Sequence, residues 1–361
     1  MSASWVVETA DIGEHLIDRA LSGTGRPTVR DSPRSLNTAQ IPLKRVGTRR
    51  ADSACMTSPR LIQPGRTWLV TRRTTRRHFL LRPDADGTTQ DLYWYTTAVL
   101  AKKFGIAVHA VQVLSNHMHE VLTDVRGKLP DFLRERNRAL ANALKRHRDW
   151  AEEVFQRAPA SCVEIYGVDA LCRAIGYTIA NCVEAGLVDD PASWPGVRVL
   201  ADEIGHRTVT LDRPQMYFRP SNPVWPAVAS LDLTMPDALV AAYGANARDV
   251  VRRAVARAIG AARDALQRGG AGQSVTSLTG QSIERRAQSS EPRATRNPQF
   301  STAGDPQLTR QAVEERSAFQ RAYRRAFAAI GDLVTRVPFP IGTWRWAREL
   351  RLPVALLPAP S

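Results

Sequence analysis

The amino-acid sequence predicts an α+β fold: a ferredoxin-like split βαβ antiparallel sheet, an added helix that carries a tyrosine, and a basic helical C-terminal extension. Two observations predict this class. Between residues 61 and 200, the hydrophobic patterns follow the order strand, helix, strand, strand, helix, strand, helix. Beyond residue 200, arginine-rich helical patterns take over.

The first four elements are predicted from short apolar segments and one helical repeat. A Trp-Leu-Val run predicts a short buried strand at 67–71. Residues 91–104 are predicted as a helix, because their apolar side chains recur on one face and Gly105 follows as a stop signal. Residues 106–114 have the apolar pattern of a central strand, and a short turn leads to a paired strand at 117–123.

The next three elements complete the pattern. A long helix is predicted at 129–150, with an apolar stripe that includes Leu140 and Leu144. Residues 161–166 are predicted as a fourth strand, and residues 168–188 as the helix that carries the tyrosine. These elements form one predicted domain at 56–200.

Four further segments surround this domain. Residues 1–55 are rich in Ser, Thr, Arg and Pro and are predicted to be mostly disordered. Residues 201–268 are predicted as a basic helical extension, and 269–306 as a flexible linker. Residues 307–361 contain a predicted basic helix and an aromatic segment. We expect everything after residue 200 to be accessory to the core.

The charge balance favours a polyanionic partner. The 361 residues contain 50 Lys and Arg against 35 Asp and Glu, a formal net charge of +15 at pH 7. Nucleic acid is the expected partner, because neutralising phosphates supplies affinity that does not depend on base sequence. An arginine excess also arises from GC-rich coding, so the charge alone does not establish DNA binding.

Cysteine usage and hydropathy bear on the compartment. The four cysteines include no C-x-x-C pair, so neither a zinc knuckle nor a disulfide framework is indicated. No apolar run approaches the length of a membrane span, and the first residues lack the basic start and apolar centre of a signal peptide. We expect a cytoplasmic protein with no membrane partner.

Two histidines separated by one residue form the most informative motif. His117 and His119 lie in an apolar stretch, and on a strand this spacing directs both imidazoles to one face. Two imidazoles side by side form half of a ligand shell for a divalent metal. Histidines on an apolar strand also occur as hydrogen-bonded core residues. Glu120 points to the opposite face and is not expected to bind the metal.

A helix about sixty residues later carries a second polar pair. Tyr177 and Asn181 are four residues apart and therefore share one helix face. A hard metal prefers an oxygen ligand beside two histidines, and Asn181 can supply it. Taken alone, Tyr177 could be a packing residue, and Tyr166 is a rival nucleophile that we interpret as a core residue at the end of a strand.

Four sequence blocks occur in a recognisable order. They are Gly-x-Thr-Trp-x-x-Thr at 65–71, His-Met-His at 117–119, the tyrosine helix at 177–188, and an acidic stretch followed by Trp-Pro at 189–197. Together these blocks resemble the REP-associated tyrosine transposases and their relatives, the single-strand transposases of small insertion sequences. The departures from the family pattern are Cys182 in place of a proline, Glu184 in place of a small or basic residue, and Gly196-Val197 in place of a serine pair.

The resemblance implies a ferredoxin-like fold and a metal-dependent transposase, active in DNA transposition and recombination. Such an enzyme nicks and rejoins single-stranded or hairpin DNA through a covalent 5′-phosphotyrosine. Tyr177 would be the nucleophile, and His117, His119 and Asn181 would bind Mg²⁺ or Mn²⁺. Two alternatives remain: a catalytically lapsed relative that still binds DNA hairpins, and an unrelated metallohydrolase that leaves the tyrosine helix unexplained.

The long basic helix is the predicted DNA-binding surface. Its cations are Arg134, Arg136, Arg138, Lys145, Arg146 and Arg148. A basic stripe beside the site would follow the DNA phosphates, although it could also be a solvated helix face. The sequence leaves open whether Tyr177 acts within its own chain or across a homodimer.

Overall fold

The computed structural model describes residues 59–268, 299–331, 338–344 and 354–355. The strands are β1 (Arg66–Arg73), β2 (Ile106–Val113), β3 (His117–Asp124), β4 (Ser161–Ile165), β5 (Thr208–Asp212), β6 (Val228–Asp232) and β7 (Phe300–Ser301). The helices are α1 (Thr88–Phe104), α2 (Leu129–Arg148), α3 (Val168–Glu184), α4 (Asp237–Tyr243), α5 (Ala247–Arg268) and α6 (Pro306–Gly331). The main sheet has the strand order β2-β3-β1-β4-β7, and β5 and β6 form a separate hairpin.

Four strands of the main sheet have the predicted ferredoxin-like arrangement. β1 pairs antiparallel with both β3 and β4, and β2 pairs antiparallel with β3. Because α1 connects β1 to β2 and α2 connects β3 to β4, the topology is a split βαβ. The predicted fold class is confirmed. Each element predicted between residues 61 and 188 is present, with ends that differ by a few residues.

One face of this sheet is covered by α1 and α2, which pack against each other. Glu120 of β3 points to this face. Its oxygens accept hydrogen bonds from the Arg136 guanidinium at 2.6 and 2.7 Å and from the Tyr93 hydroxyl at 2.5 Å. All three side chains are fully buried. The mutual hydrogen bonds compensate for lost hydration, so removal of one partner is expected to be costly.

The opposite face is covered by α3, which packs in turn against α5. Successive strand residues point to opposite faces, so His117 and His119 face α3 while Glu120 faces α2. Gly176 of α3 permits a close crossing of the two helices. A Cβ at this position would lie 2.9 Å from the carbonyl oxygen of Ala254 in α5.

The segment after α3 returns to the edge of the sheet. Trp194 donates a hydrogen bond from its indole Nε1 to the carbonyl of Val113 at 2.9 Å. The Val113 amide donates to Val197 at 3.0 Å, and the Val199 amide donates to Val111 at 2.9 Å. The Trp-Pro segment is therefore tied to β2, which fixes the C-terminal end of α3 against the sheet.

The region after residue 200 differs from its prediction. The hairpin of β5 and β6 lies where only helix was expected, and the helical stretch divides into α4 and α5 at Gly244, which has φ of 53°. The predicted linker at 269–306 extends too far, because β7 pairs with β4 within it. Arg316 of α6 also donates to the buried Glu164 of β4 at 2.7 Å. These contacts attach the C-terminal elements to the sheet.

The expectations about disordered segments, membrane spans and cysteines can be compared with the described residues. The predicted disorder at 1–55 and most of the predicted linker, 269–298, lie outside the described residues. Within the described part of the chain, no helix has both the length and the hydropathy needed to cross a membrane. Cys162, Cys172 and Cys182 are buried free thiols.

Candidate active site

The two histidines lie side by side on the central strand β3, facing α3. Their ring centroids are 4.9 Å apart, and the rings are nearly perpendicular, at 87°. His119 is buried and His117 is half-buried. The alternation of strand side chains brings the two imidazoles together, as the spacing of the sequence predicts.

Each histidine is held through its Nδ1 atom. The His117 Nδ1 lies 2.6 Å from Asn116 Oδ1, and the His119 Nδ1 lies 2.9 Å from Thr71 Oγ1. Thr71 reaches His119 because the two residues are directly opposed in the pairing of β1 with β3. With Nδ1 occupied by an oxygen partner, Nε2 is the nitrogen that remains for a metal, and this is the usual support of a ligating histidine.

Asn181 of α3 completes a set of three potential ligands. Its Oδ1 lies 3.3 Å from the Nε2 of His117, and its Nδ2 donates to Glu184 Oε2 at 3.5 Å. A proton on His117 Nδ1, donated to Asn116, leaves a lone pair on Nε2 that faces the lone pairs of the Asn181 oxygen. Adjacent ligands of an octahedral ion with bonds near 2.1 Å lie about 3 Å apart. The donor set therefore fits a hard divalent cation.

Tyr177 lies one helical turn before Asn181 and beside the histidines. Its ring centroid is 5.1 Å from that of His119, with an interplanar angle of 83°. The residue is 38 % exposed, so its side chain contacts the site and also reaches the surface. The structure thus brings together the four predicted site residues: two histidines from β3 and a tyrosine and an asparagine from α3.

Burial controls the protonation of these groups. Burial, and then the positive charge of Arg73, lowers the pKa of His117 to about 4. The pKa of His119 is held well below its usual value by burial and then by His117. Both imidazoles are therefore neutral at pH 7, which is the form that binds metal. Burial, and then the carboxylate of Glu184, raises the pKa of Tyr177 to about 12.

Arg73 is a site residue that the sequence prediction missed. It stands opposite His117 in the pairing of β1 with β3, and its side chain is exposed. Its positive charge lowers the pKa of His117, His119 and Tyr177. The signal in the sequence was the Arg-rich end of the first strand, but only the strand register reveals which arginine reaches the site.

The basic helix α2 is not beside this site. Arg136 of α2 binds Glu120, and Glu120 and His119 point to opposite faces of the sheet. The expectation that the basic stripe adjoins the histidines is therefore wrong. The sequence fixes the face of a strand residue relative to its neighbour, but it does not reveal on which side of the sheet the following helix packs.

Two of the six predicted DNA-binding cations of α2 are engaged inside the protein. Arg136 is fully buried in its ion pair, so it cannot meet a DNA phosphate. Arg148 is bonded to Asp84, to the Thr89 hydroxyl at 2.8 Å and to the Arg82 carbonyl at 2.6 Å. The remaining four are accessible to different degrees. Arg134, Arg138 and Arg146 are exposed, and Lys145 is half-buried.

Three of these cations line a cleft on the α2 side of the molecule. The cleft has a volume of about 1180 Å³, and Arg134, Arg138 and Lys145 contribute to its wall. Arg60 and Arg157 line it as well and are exposed. The cleft is basic, but it is separated from Tyr177 by the sheet.

Glu120, the carboxylate beside the histidines in sequence, and Tyr166, the rival nucleophile, both lie away from the site. Glu120 is enclosed on the α2 face, as expected from strand alternation. Tyr166 is buried and its hydroxyl donates to Glu315 of α6 at 3.1 Å. Elsewhere in the described chain, no group of three or more His, Cys, Asp or Glu side chains could hold a metal ion. The His117, His119 and Asn181 set depends on an amide oxygen as its third member.

Comparisons with known proteins add a structural likeness. A solved structure described as "Structure of the REP associates tyrosine transposase bound to a REP hairpin" is 19% identical, with 41% of this chain and 85% of that chain covered and a TM-score of 0.35. No protein-family profile matches the chain, and no curated protein matches it. A likeness at this TM-score carries no functional argument.

Proposed function

We propose that this protein is a metal-assisted tyrosine transposase that cleaves and rejoins single-stranded or hairpin DNA. The observation that carries the proposal is one cluster in which the Tyr177 ring lies 5.1 Å from His119 and the Asn181 oxygen lies 3.3 Å from His117. A nucleophile and a hard-metal ligand set at the same point are what a phosphodiester transfer by tyrosine requires. The resemblance of the sequence blocks points to the same chemistry.

The reaction would proceed by two successive transfers of the phosphoryl group, first to Tyr177 and then to a 3′-hydroxyl. In the first, the Tyr177 oxygen attacks the phosphorus, its proton passes to solvent, and the bond from phosphorus to the 3′-oxygen breaks. That oxygen takes up a proton and becomes a free 3′-hydroxyl, while Tyr177 retains the 5′-phosphate. In the second, a 3′-hydroxyl attacks the phosphotyrosine and releases the tyrosine. Bond energy is conserved, so no nucleotide cofactor is needed.

His117, His119 and Asn181 would hold a divalent cation, Mg²⁺ or Mn²⁺, which neutralises phosphate charge and stabilises the leaving oxygen. Thr71 and Asn116 keep the histidine Nε2 atoms directed to that point. Arg73 adds a positive charge at the same place and would stabilise the charge that develops on the phosphate oxygens.

A strand-cleavage assay tests the proposal. The full chain is incubated with single-stranded and hairpin oligonucleotides and Mg²⁺ or Mn²⁺, and a covalent protein–DNA adduct is detected by denaturing gel. We expect an adduct and a free 3′-hydroxyl end. Tyr177→Phe should remove both while changing DNA affinity by no more than a few-fold, because only the nucleophilic oxygen is lost.

Three outcomes would contradict the proposal. An adduct formed by Tyr177→Phe would mean that another residue is the nucleophile, and the buried Tyr166 would have to be examined next. Full activity in EDTA would show that the reaction does not need a divalent metal ion. If the protein binds DNA hairpins but forms no adduct with either Mg²⁺ or Mn²⁺, the catalytically lapsed alternative would be favoured.

A further inference from the structure

A groove between α3 and α5 opens at Tyr177. It has a volume of about 900 Å³, within the range of ligand-binding clefts, and Tyr177 forms part of its wall. Arg173 of α3 and Arg253 and Arg257 of α5 also line it. Arg173 precedes Tyr177 by one helical turn, and Arg253 and Arg257 are one turn apart, so each pair occupies one helix face.

The three arginines of the groove differ from Arg252 and Arg263 of α5, whose guanidiniums bind other residues of the chain. Arg173, Arg253 and Arg257 are exposed, and none makes an ion pair or a side-chain hydrogen bond within the described residues. By contrast, Arg252 pairs with Asp202 and Asp249. The hydrogen-bonding capacity of the three groove guanidiniums is therefore directed to solvent.

Small side chains form the floor of the groove. Ala180, Ala258 and Ala261 line it, and the close crossing at Gly176 keeps the two helices together beneath it. Alanines leave room for a flat or bulky group and add no competing charge. An open channel with cations on both walls and an apolar floor suits an extended single strand, whose phosphates meet arginine while its sugars and bases contact apolar surface.

Two carboxylates also line the groove, Asp169 and Glu184. Glu184 lies at the end near the site, where Asn181 donates to it. The cations outnumber the carboxylates. Because Arg173 and Asp169 project from the same helix face, the density of positive charge is greatest on the α5 wall, at Arg253 and Arg257.

From this arrangement we infer that the groove between α3 and α5 is the path by which a single DNA strand reaches Tyr177, with Arg253 and Arg257 as phosphate-binding residues. The inference rests on the proposed function, and it names the part of the chain that holds the substrate. It also makes α5, from the region after residue 200, a component of the active site.

The first test measures affinity for a mixed-sequence single-stranded oligonucleotide by fluorescence anisotropy at several salt concentrations, in the Tyr177→Phe background. Arg253→Gln with Arg257→Gln should reduce the slope of log affinity against log salt by about 1.4, since each phosphate contact on a single strand contributes about 0.7. Arg321→Gln with Arg325→Gln is the control: two exposed arginines of α6 at the same spacing. Equal slopes for the two double variants would overturn the inference.

The second test blocks the groove without changing its charge. Ala261 is an exposed alanine of the groove floor. Ala261→Trp should therefore fill the channel and reduce single-strand affinity at least tenfold while the protein remains folded. Ala328→Trp, at an exposed alanine of α6, is the control and should bind as the parent does. Unchanged affinity of Ala261→Trp would contradict the inference even if the arginine variants bind weakly.

The experiments distinguish a wrong assignment of the groove from a wrong assignment of the cleavage chemistry. Both affinity measurements require no cleavage. If the unsubstituted protein forms no adduct but the groove variants lose affinity, the cleavage chemistry is wrong and the groove assignment holds. If the unsubstituted protein forms an adduct, and the groove variants bind as their controls do and also cleave as their controls do once Tyr177 is restored, the groove assignment is wrong and the chemistry holds.

Discussion

At the residue scale, the site depends on which nitrogen of each histidine is presented to a ligand. Thr71 and Asn116 each occupy an Nδ1 atom, and burial keeps both rings neutral at pH 7. Rotation of either ring would break a hydrogen bond, and rotation of the His117 ring would also turn its Nε2 away from Asn181. In the proposed metal site, the two supporting oxygens would therefore matter for metal affinity nearly as much as the ligands themselves.

The role of Thr71 can be tested with a matched neighbour on the same strand. Thr71→Val removes the oxygen that binds His119, and we expect affinity for Mn²⁺ to fall by about tenfold or more. Thr67→Val is the control, because Thr67 faces the same side but bonds to Thr123, at 2.7 Å. Isothermal titration calorimetry measures both. Equal metal affinities for the two variants would show that the Thr71 contact does not orient a ligand.

The four residues of the candidate site were predicted together from the sequence, whereas the residues that hold them were not. His117, His119, Tyr177 and Asn181 are recognisable because a strand repeats every two residues and a helix face about every four. Thr71, like Arg73, is not recognisable in this way, because its position depends on how β1 is aligned against β3. That alignment comes from packing of the whole sheet, which no local pattern encodes.

At the element scale, α2 shows how one helix can be both basic and buried. Phe132, Leu133, Arg136 and Leu140 recur with the spacing of a single helix face, and all four are buried. The sequence placed Arg136 among the predicted DNA-binding cations, but its position within this apolar stripe buries it against Glu120. Arg138 lies on the exposed face. Charge alone therefore gave a wrong role for Arg136.

Substitutions on the two faces of α2 should have opposite consequences. Arg136→Ala leaves the buried Glu120 carboxylate without its ion-pair partner and should reduce the free energy of unfolding by about 3–5 kcal/mol. Arg138→Ala should change it by less than about 0.5 kcal/mol, as for most surface substitutions. Urea denaturation followed by circular dichroism measures both. A small effect of Arg136→Ala would mean that water or another cation replaces the guanidinium.

The carboxylate of Asp84 connects the start of α1 to the end of α2. Asp84 accepts hydrogen bonds from the Thr89 amide and hydroxyl, at 3.0 and 2.5 Å, and from His147 at 2.8 Å, and it pairs with Arg148. Burial alone would raise the pKa of Asp84, but these hydrogen bonds lower it to about 2. The carboxylate therefore stabilises the fold when it is ionised.

The sign of this shift predicts a pH dependence. Since the folded pKa of Asp84 is below the unfolded value near 3.9, its contribution is nearly complete above about pH 5 and is lost as the pH falls towards 2. Asp84→Asn should reduce the free energy of unfolding at pH 7 by on the order of 2 kcal/mol, and the difference from the parent should shrink at pH 3. Denaturation at both pH values tests this, and a constant difference would contradict it.

At the scale of the whole molecule, the elements after residue 200 pack against the sheet and its helices. α5 covers α3, β7 extends the sheet beside β4, and Arg316 of α6 pairs with the buried Glu164. β7 and the hairpin of β5 and β6 were not predicted from the sequence, because β7 has only two residues and a long irregular loop separates β5 from β6. Such contacts are non-local and leave no periodic signature. The accessory role expected for this region is thus a prediction that two truncations can test.

A chain ending at residue 205 loses α5, and one ending at residue 268 keeps it. Both truncated chains should carry Glu164→Gln, so that neither has a buried carboxylate without Arg316. We expect the chain ending at 268 to remain folded and to form the covalent DNA adduct. The chain ending at 205 should expose the α3 surface that α5 covers, melt at lower temperature and form no adduct. Thermal unfolding and the adduct gel measure both, and full activity of the shorter chain would show that the domain ends before α5 and that α5 contributes nothing to the site.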